Sequence, residues 1–469
     1  MSELNMQKPF GIRGFNMCES ILRHSPEQLT RFIRRMKTLH LNTLIVHYDY
    51  GWKRYRDLIL RECADAGVEI TLMTFGPRTF FSYTDAKPEW FAKDENGRPF
   101  TEEPECETQP CRFQPEGCEA FYHGAVQWLR SLPPEIRRIH MRAGDGLMFC
   151  RCEKCRELPD HEKWQPFVEL FTKAVLENRP DLEFETDIYV KRYNLPENRQ
   201  AHTSMHRIMY DTFFRHPHFP IGSELDTVNK GYLAYAATEK NPDAPTPNSY
   251  HWKRIQEWAQ LCPGRVYIHD NAMAQGLFGT FQQNTGAYLQ EQELYRRLGI
   301  RGICYEAYEP GYSFFEKHFE VLFRAMEDPA SAWKYRPTEL EKALDREFDM
   351  AIFCTKPDFP IEKYIQDPVR RRQAEFYREY HCNFTPEVYR NYLDFAFEHS
   401  DIMDPLVIGF CMMENGLHSR KLKFESLSEE AGRFIRYRKL WDFMEKIPLT
   451  EDPIAKTRKL LEELRARVR

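Results

Sequence analysis

The sequence predicts an α/β protein, a (β/α)8 barrel of the TIM class with a helical C-terminal extension, and three observations predict it. Short β-rich runs alternate with longer runs of helical spacing, the alternation that builds parallel βα units. Eight such β-rich runs lie before residue 331, and the pattern disappears after it. No Gly-rich phosphate turn follows the first strand, as an open doubly wound sheet would more often show.

The elements follow in order. Gly11 to Phe15, after Pro9, reads as the first strand. Ser25-Pro26-Glu27 opens a helix, with Ser as N-cap and Pro in the first turn. Asn42 to His47 is the second strand, and Trp52 to Ala66 is a helix that stops at Gly67. Glu69 to Phe75 is the third strand. The stretch from Gly76 to about Gly117, rich in Pro, Gly and charge, breaks the rhythm. A loop that long inside a compact domain is usually functional. A helix over Cys118 to Leu132 leads to strand four, Arg138 to Arg142. Helical spacing over Trp164 to Glu177 precedes strand five, Glu183 to Val190, and strand six is Arg207 to Asp211. A helix over Ser249 to Gln260 precedes strand seven, Arg265 to Asp270, and strand eight is Gly302 to Glu306. Residues 1–330 are therefore expected to form the barrel. Residues 331–469, with charged helical faces and breaks at Pro337, Pro357, Pro360, Pro386 and Pro405, are expected to pack on it as helices ending in an amphipathic segment, Ile454 to Arg469.

Composition narrows the function. Net charge is −5 with acids and bases intermixed, which leaves no electrostatic footprint for nucleic acid. No run of 18 apolar residues occurs, so no membrane span is expected. The start of the chain lacks the apolar core of a secretory signal. The 13 cysteines are odd in number and several sit in apolar patterns, which suits a reducing compartment. A cytoplasmic location is the expectation.

Barrel enzymes carry their chemistry at the C-terminal ends of the strands. Here those ends are unusually polar: Arg13 and Asn16; His47, Tyr48, Asp49 and Tyr50; Arg142 and Asp145; Asp187, Tyr189, Lys191 and Arg192; Asp211; His269, Asp270 and Asn271; Glu306, Tyr308 and Glu309. Carboxylates among aromatic and amide groups suit glycoside hydrolysis, in which one acid protonates the leaving oxygen and a second group stabilises or attacks the oxocarbenium-like centre. Asp145, flanked by Gly144 and Gly146, is the first candidate for a catalytic or acetamide-orienting carboxylate. Glu306, on an apolar strand expected to raise its pKa, is the candidate general acid/base. Asp187 and Glu309 are the substitutes. Arg13, His47, Tyr48, Asp211, His269, Asp270 and Tyr308 are the expected sugar contacts, with Tyr50 and Trp52 as ring-stacking candidates. Many of these groups also fit strand-end caps and ion pairs with neighbouring arginines.

The sharpest local motif is Cys150, Cys152 and Cys155, at C-x-C-x-x-C spacing directly after Gly144-Asp145-Gly146. Three such thiolates suit one structural Zn²⁺, whose fourth ligand would come from Cys106, Cys111 or Cys118 in the loop after strand three. Free thiols or a disulfide are the alternative.

Asp145 with the cysteine motif resembles the signature of glycoside hydrolase family 163 and its relatives. Tyr189-Val190-Lys191 through Leu195-Pro196, Trp258 to Asp270, Ile300-Arg301-Gly302-Ile303 and Pro329 to Phe348 continue the resemblance, over about residues 9 to 400. The resemblance implies a barrel enzyme that cleaves β-linked N-acetylglucosamine in glycans, aided by the substrate's acetamido group. An N-terminal β domain, which that family often carries, is not expected ahead of the first strand here. The expected partner is thus a carbohydrate substrate. The rivals are a barrel isomerase, aldolase or lyase using His47 or His269 with Lys191, favoured by a divalent metal on Asp and His side chains, and a non-catalytic glycan-binding barrel.

Overall fold

The computed structural model describes residues 8–18, 21, 24–75, 77–99, 109–144, 149–189, 192–212, 220–222, 247–271, 285–306 and 311–337, with a few short pieces beyond, up to 451. Eight parallel strands close into a barrel in chain order. They are β1 Ile12–Asn16, β2 Thr43–His47, β3 Glu69–Phe75, β4 Arg138–Arg142, β5 Glu183–Ile188, β6 Arg207–Asp211, β7 Val266–Asn271 and β8 Gly302–Glu306. Closure is made by β1 against β8, with Arg13 opposite Ile303 and Asn16 opposite Glu306. The α/β barrel expected from the alternating pattern is therefore observed. The helical C-terminal region falls almost wholly outside the described residues.

Long helices cover the outer face: α1 Pro26–Thr38, α2 Lys53–Ala66, α4 Pro115–Ser131, α5 Asp160–Asn178, α7 Pro247–Leu261, α8 Thr285–Leu298 and α9 Gly311–Glu327; α3 Arg78–Phe81 and α6 Gln200–Ser204 are single turns. Local signals set their ends. Ser25 and Gln28 form a reciprocal capping box ahead of α1. Gly67 adopts φ +69° just past α2, the left-handed conformation that ends helices on glycine. The described residues of the loop after β3 hold α3 and two antiparallel bridges, Phe91 with Pro110 and Lys93 with Pro99.

Two helices start earlier than their apolar periodicity implies. The fourth begins at Pro115, a residue suited to a first helical turn. The fifth begins at Asp160 and contains Pro166 in its interior. Proline lacks the N–H that would bond to the carbonyl four residues back. That carbonyl belongs to Glu162, and the Arg112 guanidinium donates to it instead.

Strand alternation sorts the barrel into two environments. Outward residues such as Phe15, Leu44, Val46, Ile139, Phe184 and Ile268 join the main core beneath the helices. Inward residues build a small interior cluster of Ile12, Ile45, Met73, Met209, Tyr267 and Cys304. Above it the inward positions turn polar, and the site lies there. Among the described residues, no helix is long and apolar enough to cross a membrane.

Candidate active site at the barrel mouth

The last inward residue of β1 is Asn16, which lies opposite Glu306 of β8. Cys18, at φ +47°, turns the chain back so that its N–H donates to Asn16 Oδ1 at 2.8 Å. That bond fixes the amide, because its oxygen is spoken for and its nitrogen must face the barrel axis. Asn16 Nδ2 then lies 2.5 Å from Glu306 Oε2, 3.3 Å from His47 Nε2 and 3.2 Å from His269 Nε2.

His269 stands between two carboxylates. Its Nδ1 is 2.8 Å from Asp211 Oδ2 and its Nε2 is 3.2 Å from Glu306 Oε2, all three side chains being buried. A carboxylate on each nitrogen calls for a proton on each. Burial opposes that charge, but Asp211 and Glu306 outweigh it and lift the His269 pKa to about 10. His47 is the opposite case. Burial, then the Arg142 charge, lowers its pKa to about 3, so it is neutral and its Nε2 accepts from Asn16. The two amide protons of Asn16 are thereby used on Glu306 and His47.

Glu306 departs from the sequence expectation. Burial on an apolar strand does push its pKa upward, but the hydrogen bond and charge of His269, then Arg142 and His47, pull it down to about 2. The His269 imidazolium beside it favours the charged carboxylate, the base half of the expected general acid/base role. The strand pattern showed its apolar neighbours and not the imidazolium that β7 places across from it.

The β4–β5 side of the mouth is charged as well. Asp187 Oδ2 lies 3.7 Å from Arg142 Nε and 3.6 Å from Arg192 Nη2. These are longer than hydrogen bonds, and neither carboxylate oxygen of Asp187 has a hydrogen-bond partner among the described residues. The Arg142 guanidinium lies over the Tyr189 ring at 4.4 Å. One layer deeper, Glu185 accepts from Tyr267 Oη at 2.6 Å and pairs with His140 Nδ1 at 2.9 Å.

The structure thus gathers His47, Asp187, Asp211, His269 and Glu306 at the mouth. It places three expected sugar contacts elsewhere. Arg13 is the second residue of β1 and is bonded to the carbonyls of His40 and Phe10 and to Glu327, away from the mouth. Tyr48 turns outward onto Trp128 and bonds Tyr83 Oη at 2.9 Å. Asp270 follows the inward His269 and so falls on the outer face of its strand. Trp52 is packed into the main core. Asp145, Lys191, Tyr308, Glu309 and Cys106 lie outside the described residues. Cys18 escaped the sequence reading, since a lone cysteine two residues beyond a strand carries no signal. The Glu185–His140–Tyr267 layer escaped it too, although alternation down from Asp187, Arg142 and His269 points to those positions.

Among the described residues, two groups of side chains have the closeness that a metal ion needs. Cys18, His47 and Glu306 form one at the mouth, with ligand atoms within 4.8 Å of one another. Cys111, Cys150, Cys152 and Cys155 form the other on the rim loops. Cys118 is not part of it, because its thiol faces the carbonyl of Arg112 at 3.5 Å.

A closed barrel with a buried acid–imidazole–amide centre at its C-terminal mouth is the architecture this chain presents. No protein-family model matches the sequence, and no curated protein matches it. Among solved structures, it is similar to a GH42 β-galactosidase from G. stearothermophilus, at 11% identity over 80% of this chain and 65% of that one, with a TM-score of 0.45. It is similar to a β-galactosidase from the psychrophilic Marinomonas ef1, at 12% identity over 62% and 53%, with a TM-score of 0.41. It is also similar to an O-GlcNAc hydrolase from Thermobaculum terrenum, at 12% identity over 98% and 87%, with a TM-score of 0.40. The matched region spans about half the length of the Marinomonas enzyme. Likeness at this level says nothing of the chemistry at this chain's mouth.

Proposed function

We propose that the chain is a glycoside hydrolase that cleaves a β-linked, N-acetylated amino sugar from a glycan or oligosaccharide. The observation that carries this reading is the ionised Glu306 carboxylate, aimed by Asn16 and His269 at the centre of the barrel mouth. Glycoside cleavage develops positive charge on the sugar ring, and a pre-positioned carboxylate stabilises or captures it. The β4–β5 side supplies Asp187, buried between the Arg142 and Arg192 guanidinium groups. The amino-sugar assignment rests on the resemblance of the Asp145 to Cys155 segment to glycoside hydrolase family 163. In this reading Asp145 is the second catalytic carboxylate, with Glu306 as the charged partner.

The test is a panel of chromogenic β-glycosides that includes the N-acetyl-β-glucosaminide. The wild type is expected to release chromophore from the acetamido sugar, and Glu306→Gln to lose roughly 10²-fold or more in kcat, the scale of such electrostatic and acid–base groups. Full activity in Glu306→Gln, or no hydrolysis of any panel member by the wild type, would sink the proposal.

A second reading has one observation in its favour. Cys18, His47 and Glu306 are close enough to share a divalent cation, as a metal-dependent sugar isomerase or lyase would require. It predicts that Cys18→Ala abolishes turnover of a free sugar and that added divalent metal restores part of it. The hydrolase reading predicts neither effect.

A further inference from the structure

Outside the barrel mouth, the described residues hold a second built cluster. The loop between β3 and α4 brings Cys111, and the segment between β4 and α5 brings Cys150, Cys152 and Cys155. Cys111, Cys150 and Cys155 are buried, with Cys152 at the edge, and Ala92 completes the packing. Cys111 Sγ lies 3.8 Å from Cys155 Sγ and 3.9 Å from Cys152 Sγ. All four sulfurs fall within 4.8 Å of one another.

Those separations discriminate between two chemistries. A disulfide needs its sulfurs about 2.05 Å apart, and these are nearly twice that. Four sulfurs placed tetrahedrally at about 2.3 Å from one zinc ion are separated by about 3.8 Å. The backbone is shaped for the same purpose. The N–H groups of Cys155 and Arg156 both donate to Cys152 O, at 2.8 and 2.9 Å, which folds the C-x-x-C segment into a tight turn with its sulfurs on one side. The Lys93 N–H points at Cys150 Sγ at 3.4 Å, a donor that favours a thiolate over a thiol.

We infer that Cys111, Cys150, Cys152 and Cys155 bind one zinc ion in a closed, structural site. On binding, each thiol gives its proton to solvent and each sulfur forms one bond to the metal. With all four positions taken by protein there is no open place for water or substrate, so the ion is not catalytic. Its work is mechanical. The loops it joins are also held by Arg151 N–H donating to Lys93 O at 2.7 Å and by an Arg151–Glu95 ion pair. Together these contacts tie the loop after β3 to the segment ahead of α5.

The experiment uses the full chain, purified without chelator under reducing conditions, with metal measured by plasma mass spectrometry. We expect close to one zinc per chain in the wild type. A mercurial titration of the native protein should release that zinc in step with the reaction of four thiols, which needs no variant to fold. Cys111→Ser should reduce zinc content about tenfold or more, whereas Cys118→Ser should keep it. Wild-type protein without zinc, iron in its place, or zinc lost on Cys118→Ser and kept on Cys111→Ser would overturn the assignment. The readout is metal content, so its outcome is independent of whether the barrel mouth hydrolyses a glycoside.

Discussion

At the level of single residues, the charge state of Glu306 controls how the mouth behaves. Its pKa, about 2, lies below the ordinary 4.5, so its contribution to stability is full above pH 4.5 and is lost as pH falls towards 2. The pKa of His269, about 10, lies above the ordinary 6.5, so its contribution is full below pH 6.5 and is lost as pH rises towards 10. The two windows overlap between about pH 4.5 and 6.5. Urea denaturation of wild type and Glu306→Gln across pH should therefore show the largest stability gap in that overlap, narrowing on either side. A gap that is flat from pH 3 to 9 would mean that the pair does not exist in solution. Much of this centre was readable in advance. Asn16, His47, Asp211 and Glu306 end their strands and His269 lies two residues from the end of its own, and strand ends of a barrel converge. The protonation states were not readable, because they depend on which residue faces which across the barrel and not on neighbours in sequence.

At the level of elements, the helix Asp160–Asn178 shows how the rim is tied to the core. Pro166 strips Glu162 O of its helical donor, and Arg112, from the loop that also carries Cys111, replaces it. Arg112→Ala should leave that partly buried carbonyl without its charged donor and cost about 1–3 kcal/mol, the usual penalty for such a group. Equilibrium denaturation that shows less than about 0.5 kcal/mol would mean that water satisfies the carbonyl equally well. The element pattern explains both the success and the limit of reading this rim from sequence. The C-x-C-x-x-C spacing identified three cysteines, because ligand spacing within one turn is local. The choice among Cys106, Cys111 and Cys118 depended on how a forty-residue loop folds back. The bridge of Phe91 with Pro110 folds the loop back on itself, and the Arg151 N–H to Lys93 O bond sets it beside the other three cysteines.

At the level of the whole molecule, the eight strands were legible because short β-rich runs alternate with longer runs of helical spacing, even where polar residues line the inner face, as in β4 (RIHMR) and β5 (EFETDI). The region after residue 331 is still proposed to be one folding unit with the barrel, on the strength of its aromatic clusters, Phe376, Tyr377 and Tyr380 among them. A chain truncated near Trp333 should then melt at a lower temperature or become insoluble. A soluble product with an unchanged Tm would show the region to be a separate appendage. The closure of β1 on β8 has a consequence of its own for synthesis. Asn16 and Glu306 are 290 residues apart in the chain yet share a hydrogen bond. At about 5–20 residues per second, the first strand leaves the ribosome roughly 15–60 s before its last partner is made. Until then its open edge is available for mispairing, and His269 has only one of its two carboxylate partners. The final strand therefore delivers the last wall of the barrel and the carboxylate at its centre in the same event, and a nascent chain gains its chemistry only when it has finished closing.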